Sequence, residues 1–198
     1  MKRHVAILLM VSTMVIALWG CNQKAETKTS SLDLSDVEFG KDFHLRDADG
    51  KTRTMQDYKG KVVMLFFGFT QCPDVCPTAL SRAAAIREQL GQEADRLQVI
   101  FVTVDPERDT PSMLKSYTAA FDPSFIGLSA DLATTRKTAD EFHIYYAKVP
   151  TGSSYTMDHS AITYLIDPFG KLRLAVRPAA TVEEVAQDVR TLLKTRSS

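Results

Sequence analysis

The chain has 198 residues, 44% of them apolar, and its 24 basic residues are offset by 24 acidic ones. Balanced charge offers no basic stripe for a polyanion or a charged membrane surface, so nucleic-acid binding is excluded as a function. The length, without repeats or low-complexity blocks, suits one globular domain able to bury a core.

Lys2-Arg3-His4, an uncharged apolar run over 5–18 and then Leu18-Trp19-Gly20-Cys21 read as an export signal over 1–20. As a helix that run rises about 21 Å, short of the roughly 30 Å hydrocarbon core, which favours a cleaved leader over a membrane span. Cysteine directly after Leu-x-Gly resembles the bacterial lipobox, with bulky Trp19 as a departure, and the resemblance implies lipidation at Cys21. The expected location is the periplasmic or extracytoplasmic side, at the cell membrane through a lipid anchor. Residues 22–31 carry almost no apolar side chain. They read as a solvated tether, taken as 21–34, with the folded domain over 35–198 and its onset near Leu32. If Cys21 is lipidated, Cys72 and Cys76 are the only thiols of the folded domain, in an oxidising compartment.

In chain order, a first hairpin is expected over 43–51 with Asp49-Gly50 at its turn. Strands are expected at 61–69, 97–104, 125–128 and 161–166, each bounded by Gly, Pro or Asp. One helix starts with Pro77 at its first position and stops at Gly91; the next is capped by Thr110, has Pro111 first and runs to Phe121. A third covers 133–142, and the last starts at Thr181, with Glu184 at capping-box spacing, and reaches Leu193. Asp167-Pro168-Phe169-Gly170 joins 162–166 to 172–176 as an antiparallel hairpin. Alternating strands and helices ending in a hairpin predict an α/β chain with a mixed central sheet flanked by helices. That layout resembles the thioredoxin fold with an N-terminal hairpin extension.

Cys72-Pro73-Asp74-Val75-Cys76 sits where the first long strand gives way to a helix. A helix N-terminus favours thiolates, and a thiolate is both the nucleophile of disulfide exchange and a ligand for soft metals. A structural disulfide closing so short a loop would remove little entropy from the unfolded chain and would be a poor staple. Thioredoxin-type oxidoreductases use Cys-x-x-Cys and face it with a proline, usually cis. Here three residues separate the thiols, and Met157-Asp158-His159-Ser160 stands where that proline would be. Two thiolates and one imidazole, from Cys72, Cys76 and His159, make a candidate metal cage.

The run Gly68 to Pro77 containing those cysteines, then Val104-Asp105-Pro106-Glu107-Arg108-Asp109-Thr110-Pro111, then Asp158-His159-Ser160-Ala161 followed by Tyr164 to Gly170, resembles the Sco/SenC family in order and spacing. The resemblance covers roughly 39–193. It implies a thioredoxin-fold metallochaperone that binds one copper through Cys72, Cys76 and His159 and helps assemble the copper A centre of cytochrome c oxidase. The implied partners are the oxidase subunit carrying that centre, a copper donor chaperone and a thiol reductant such as a thioredoxin-like protein. The chemistry agrees with copper, as Cu(I) or Cu(II). Cu(I) accepts two thiolates and an imidazole, whereas structural zinc takes four ligands and the domain offers two sulfurs.

The alternative is an enzyme, a thiol-disulfide oxidoreductase that uses Cys72 and Cys76 to reduce the cysteines of the oxidase copper site; redox or copper sensing is a third reading. Around the cage, Asp105 either orients His159 or recognises a partner, or it only ends a strand ahead of a solvated Glu107-Arg108-Asp109 loop. Asp158 is either an extra oxygen ligand for Cu(II) or a turn former. Phe66, Phe67 and Phe69 are expected in the core, with Phe69 lining the metal mouth. His44 is expected on the surface and His143 as a partly buried packing residue.

Overall fold

The computed structural model describes residues 31–195. The leader over 1–20, Cys21 and most of the expected tether lie outside them. Six strands form the main sheet in the order β1-β10-β9-β4-β5-β6. They are β1 Leu32–Asp33, β4 Val62–Gly68, β5 Leu97–Thr103, β6 Ile126–Leu128, β9 Thr163–Ile166 and β10 Leu172–Val176. Strands β4, β5 and β6 run parallel, while β9 joins β4 and β10 antiparallel, and β10 pairs β1 the same way. The sheet is therefore mixed, as expected. It begins inside the segment read as tether: Leu32 pairs with Ala175, and Ser31 Oγ donates to Asp188 Oδ2 at 2.6 Å. Both residues of β1 are exposed, so this edge strand is held by backbone pairing and leaves no apolar signal in the sequence.

Among the described residues four α-helices cover the sheet: α1 Val75–Leu90, α2 Pro111–Ala119, α3 Leu132–Glu141 and α4 Val182–Leu193. Every residue of β4 and β5 is buried, because alternate side chains feed two cores. Val62, Met64 and Phe66 pack with α1, α2 and α4, through residues such as Leu80, Leu114 and Val189. Val63, Leu65 and Phe67 pack on the other face with Phe43, Leu45, Phe142 and Tyr146. Thr181 caps α4 with the full capping box, and Thr110 caps α2 by accepting from the Met113 N–H.

Two further hairpins stand off the main sheet. The first pairs β2 Leu45–Arg46 with β3 Thr52–Arg53. Its turn is organised by Asp47, whose carboxylate accepts from the Asp49 and Lys51 amides, and Gly50 supplies a φ of 77°. The second, β7 Tyr146–Thr151 with β8 Ser154–His159, was not expected from the sequence. Strand β7 is mostly exposed and includes Pro150, which hides a period-two pattern there, and β8 alternates only through Tyr155, Met157 and His159; Gly152, with φ 62°, marks the turn. Helix α1 also begins earlier than expected. Pro77 falls at its third position, where the missing amide proton is one that no helical carbonyl could take, and Thr78 makes the first bond, to the Asp74 carbonyl at 3.1 Å.

Candidate metal centre

Strand β4 delivers the chain to the loop before α1, and four hydrogen bonds set that loop. The Cys72 amide donates to the Phe69 carbonyl at 3.2 Å. Asp109, only 2% exposed, accepts from the Thr70 amide (3.1 Å), the Thr70 hydroxyl (2.6 Å) and the Thr103 hydroxyl (2.6 Å). Cys72 is thereby held half-buried at the loop, while Cys76, in the first turn of α1, is fully buried. The sulfur of Cys76 lies against Gly68: a Cβ at that glycine would stand 2.6 Å from it.

His159 ends β8, and its imidazole turns inward, edge-on to Phe66 at 6.2 Å and to Phe69 at 5.8 Å between ring centres. Its Nδ1 lies 3.1 Å from the Ser160 carbonyl, which fixes the proton on that nitrogen and leaves Nε2 bare, 3.6 Å from Cys76 Sγ. The donor atoms of Cys72, Cys76 and His159 all lie within 4.8 Å of one another, and no other such cluster occurs among the described residues. Burial lowers the His159 pKa, with the Ser160 hydrogen bond opposing, so the ring is neutral and ready to ligate.

Burial pushes the Cys76 thiol well above its ordinary range, with the backbone hydrogen bond at Phe69 opposing the shift. For Cys76, desolvation thus outweighs the favour that a helix N-terminus gives a thiolate, until a cation displaces its proton. With a metal bound, the first turn of α1 offsets the charge that two thiolates leave on a monovalent ion.

The remaining candidates divide. Phe69 is buried and lines the imidazole, as expected. Asp158 lies in β8 opposite Ala147, exposed, on the face away from His159, so it forms no turn and is absent from the donor cluster. Asp105 is 1% exposed and bonds Arg108 and Tyr155 rather than His159. The alternative in which Glu107-Arg108-Asp109 is a solvated loop does not hold, since only Glu107 is exposed. His44 is on the surface beside Asp42. His143 is exposed, not partly buried; it lies two residues beyond the end of α3 with φ 52° and stacks on Phe39 at 4.0 Å. Gly68, Arg108, Asp109 and Tyr155 were missed. A glycine closing an apolar strand just before the cysteine loop was the one available signal for a close approach at Gly68.

The family model described as SCO1/SenC matches residues 33–194. The chain belongs to the SCO1/SenC family. A SCO2-like protein of Rickettsia felis is 41% identical over 138 residues, 68% of this chain and 67% of that protein. The structure of Bradyrhizobium japonicum ScoI with copper bound superposes with a TM-score of 0.73 at 42% identity, covering 78% of this chain and 99% of that one. Yeast Sco1 with copper bound gives 0.72 at 31% identity, over 80% and 90% of the two chains. These neighbours share the thioredoxin-like SCO1/SenC architecture. Two thiolates and an imidazole at this spacing form a site that could hold copper.

Proposed function

We propose that this chain is a copper carrier that takes one copper through Cys72, Cys76 and His159 and delivers it to the cytochrome c oxidase subunit bearing the copper A site. The observation that carries the reading is the cluster of three convergent soft donors, with no fourth His, Cys, Asp or Glu in it. Structural zinc takes four ligands, whereas Cu(I) is content with two sulfurs and one nitrogen. Cys72 and His159, less deeply buried than Cys76, form the side of the cage nearest to a donor chaperone or an acceptor. In an oxidising compartment the two thiols need a reductant, such as a thioredoxin-like protein, to stay open for metal.

Export and lipidation at Cys21 would hold the carrier at the membrane face where the oxidase is assembled. Among the described residues no helix is long and apolar enough to cross a membrane. A dithiol reductase would use Cys72, the more accessible sulfur, as nucleophile and the buried Cys76 as resolving thiol; the observation that favours metal over redox chemistry is the His159 imidazole facing both sulfurs. The test is transfer: copper-loaded protein is mixed with the reduced soluble domain of the oxidase subunit, a one-electron oxidant such as ferricyanide is then added, and the copper A absorption is followed. Appearance of that absorption supports delivery. A domain that loads from a Cu(I) chelate but not from this protein contradicts it.

A further inference from the structure

The β7–β8 hairpin forms its own two-stranded sheet, yet it carries one of the three metal donors. A lone two-stranded hairpin is marginal in water, so something on the body must hold it in place. Alternation along β8 turns Tyr155, Met157 and His159 to the same side. Met157 is buried in the core and His159 faces the sulfurs.

Tyr155 is seized by the turn after β5. The Arg108 guanidinium lies 3.8 Å over the Tyr155 ring, and its Nη1 donates to the Tyr155 carbonyl at 2.8 Å. Arg108 Nε is ion-paired with Asp105, and the other oxygen of that carboxylate accepts from the Tyr155 hydroxyl at 2.9 Å. One arginine thus grips both the backbone and the ring of β8, and one carboxylate ties the arginine to the tyrosine. The Asp105 side chain is fully buried, which removes it from direct partner recognition. A buried ion pair of this kind adds little net stability over apolar packing, and Arg108 Nη2 is buried with no hydrogen-bond partner among the described residues. What the arrangement does achieve is a fixed orientation.

We infer that Arg108, with Asp105 and Tyr155, is a positioning residue for the metal site: it touches no donor atom, but it holds β8 so that His159 Nε2 stays beside Cys76. Asp105 therefore acts on His159 at one remove, through Tyr155. The inference rests on the copper reading above.

The test is a double-mutant cycle of Cu(I) affinity, measured by chelator competition on the reduced protein, with Arg108→Lys, His159→Ala and the pair. Lysine keeps the charge but loses the planar stack and the forked bonding. Arg108→Lys should weaken Cu(I) binding about tenfold, as outer partners of metal ligands do. In the His159→Ala background the same change should move the affinity less than about twofold, because there is no imidazole left to position. The Cu(II) form of Arg108→Lys should also show weakened nitrogen hyperfine coupling. Tyr155→Phe, which keeps the ring and loses only the bond to Asp105, should weaken binding a few fold, and it serves if Arg108→Lys does not fold. Wild-type affinity in both variants, or an Arg108 effect that persists undiminished without His159, overturns the inference while leaving the cage intact. An unaltered affinity in His159→Ala alone overturns the cage itself.

Discussion

Replacing Gly68 with alanine tests how the buried sulfur is placed. The backbone there is ordinary strand, paired through Gly68 to Thr103 of β5 and without a positive φ, so alanine meets no conformational penalty and the effect is purely steric. The new Cβ would lie 2.6 Å from Cys76 Sγ, 2.9 Å from Phe101 Cε2 and 3.0 Å from Phe66 Cε1. Restoring ordinary contact needs a retreat of roughly 1 Å by a sulfur fixed on the first turn of α1. Overpacking of this kind costs about 1–3 kcal/mol, which in a domain of this size lowers Tm by several degrees. A 1 Å error is also large against a metal–sulfur bond, so the Cu(I) affinity of Gly68→Ala should fall about tenfold or more. Thermal unfolding of the apoprotein and Cu(I) competition read the two effects separately. A Gly68→Ala protein with both values unchanged would refute the claim that close packing on β4 positions Cys76.

Asp109→Asn should loosen the cysteine loop, since a buried carboxylate that holds two hydroxyls and an amide is replaced by a neutral amide; the expected loss is about 2 kcal/mol by denaturant titration, with faster alkylation of Cys72. Because the buried Cys76 thiol keeps its proton at neutral pH, copper must displace it, so Cu(I) affinity should rise with pH by about tenfold per unit or more between pH 6 and 8; a flat profile would mean that Cys76 is not a ligand. His143→Ala, which loses the Phe39 stack and keeps the strained backbone, should destabilise by about 1 kcal/mol; His143→Gly should be near neutral, and neither should change copper affinity in a competition titration.

Much of this fold was legible because its strands and caps are locally explicit. The apolar run of β4 and β5 is what burial on both faces requires, and Thr110-Pro111 and Thr181 with Glu184 mark helix starts by their own hydrogen bonding. The cage residues were legible from their chemistry, with two thiols at a strand-to-helix junction and a histidine late in the chain. The support around them was not. Arg108 and Asp109 look like solvent charges in sequence; Arg108 is covered only where β8 meets the turn after β5, and Asp109 where the cysteine loop meets the end of that strand. The β7–β8 hairpin stayed hidden because the exposed β7 carries no apolar alternation and that of β8 runs only through Tyr155, Met157 and His159. Where α1 begins was obscured by Pro77, which the first turn of a helix accepts at more than one position.

The central claim is a copper cage of Cys72, Cys76 and His159, and anaerobic Cu(I) titration of the reduced protein against a competing chelator tests it most directly, with Cys72→Ser, Cys76→Ser and His159→Ala alongside. The account predicts one tightly bound copper per chain and a marked loss of affinity in each variant. Weak binding, or binding indifferent to His159, would contradict it.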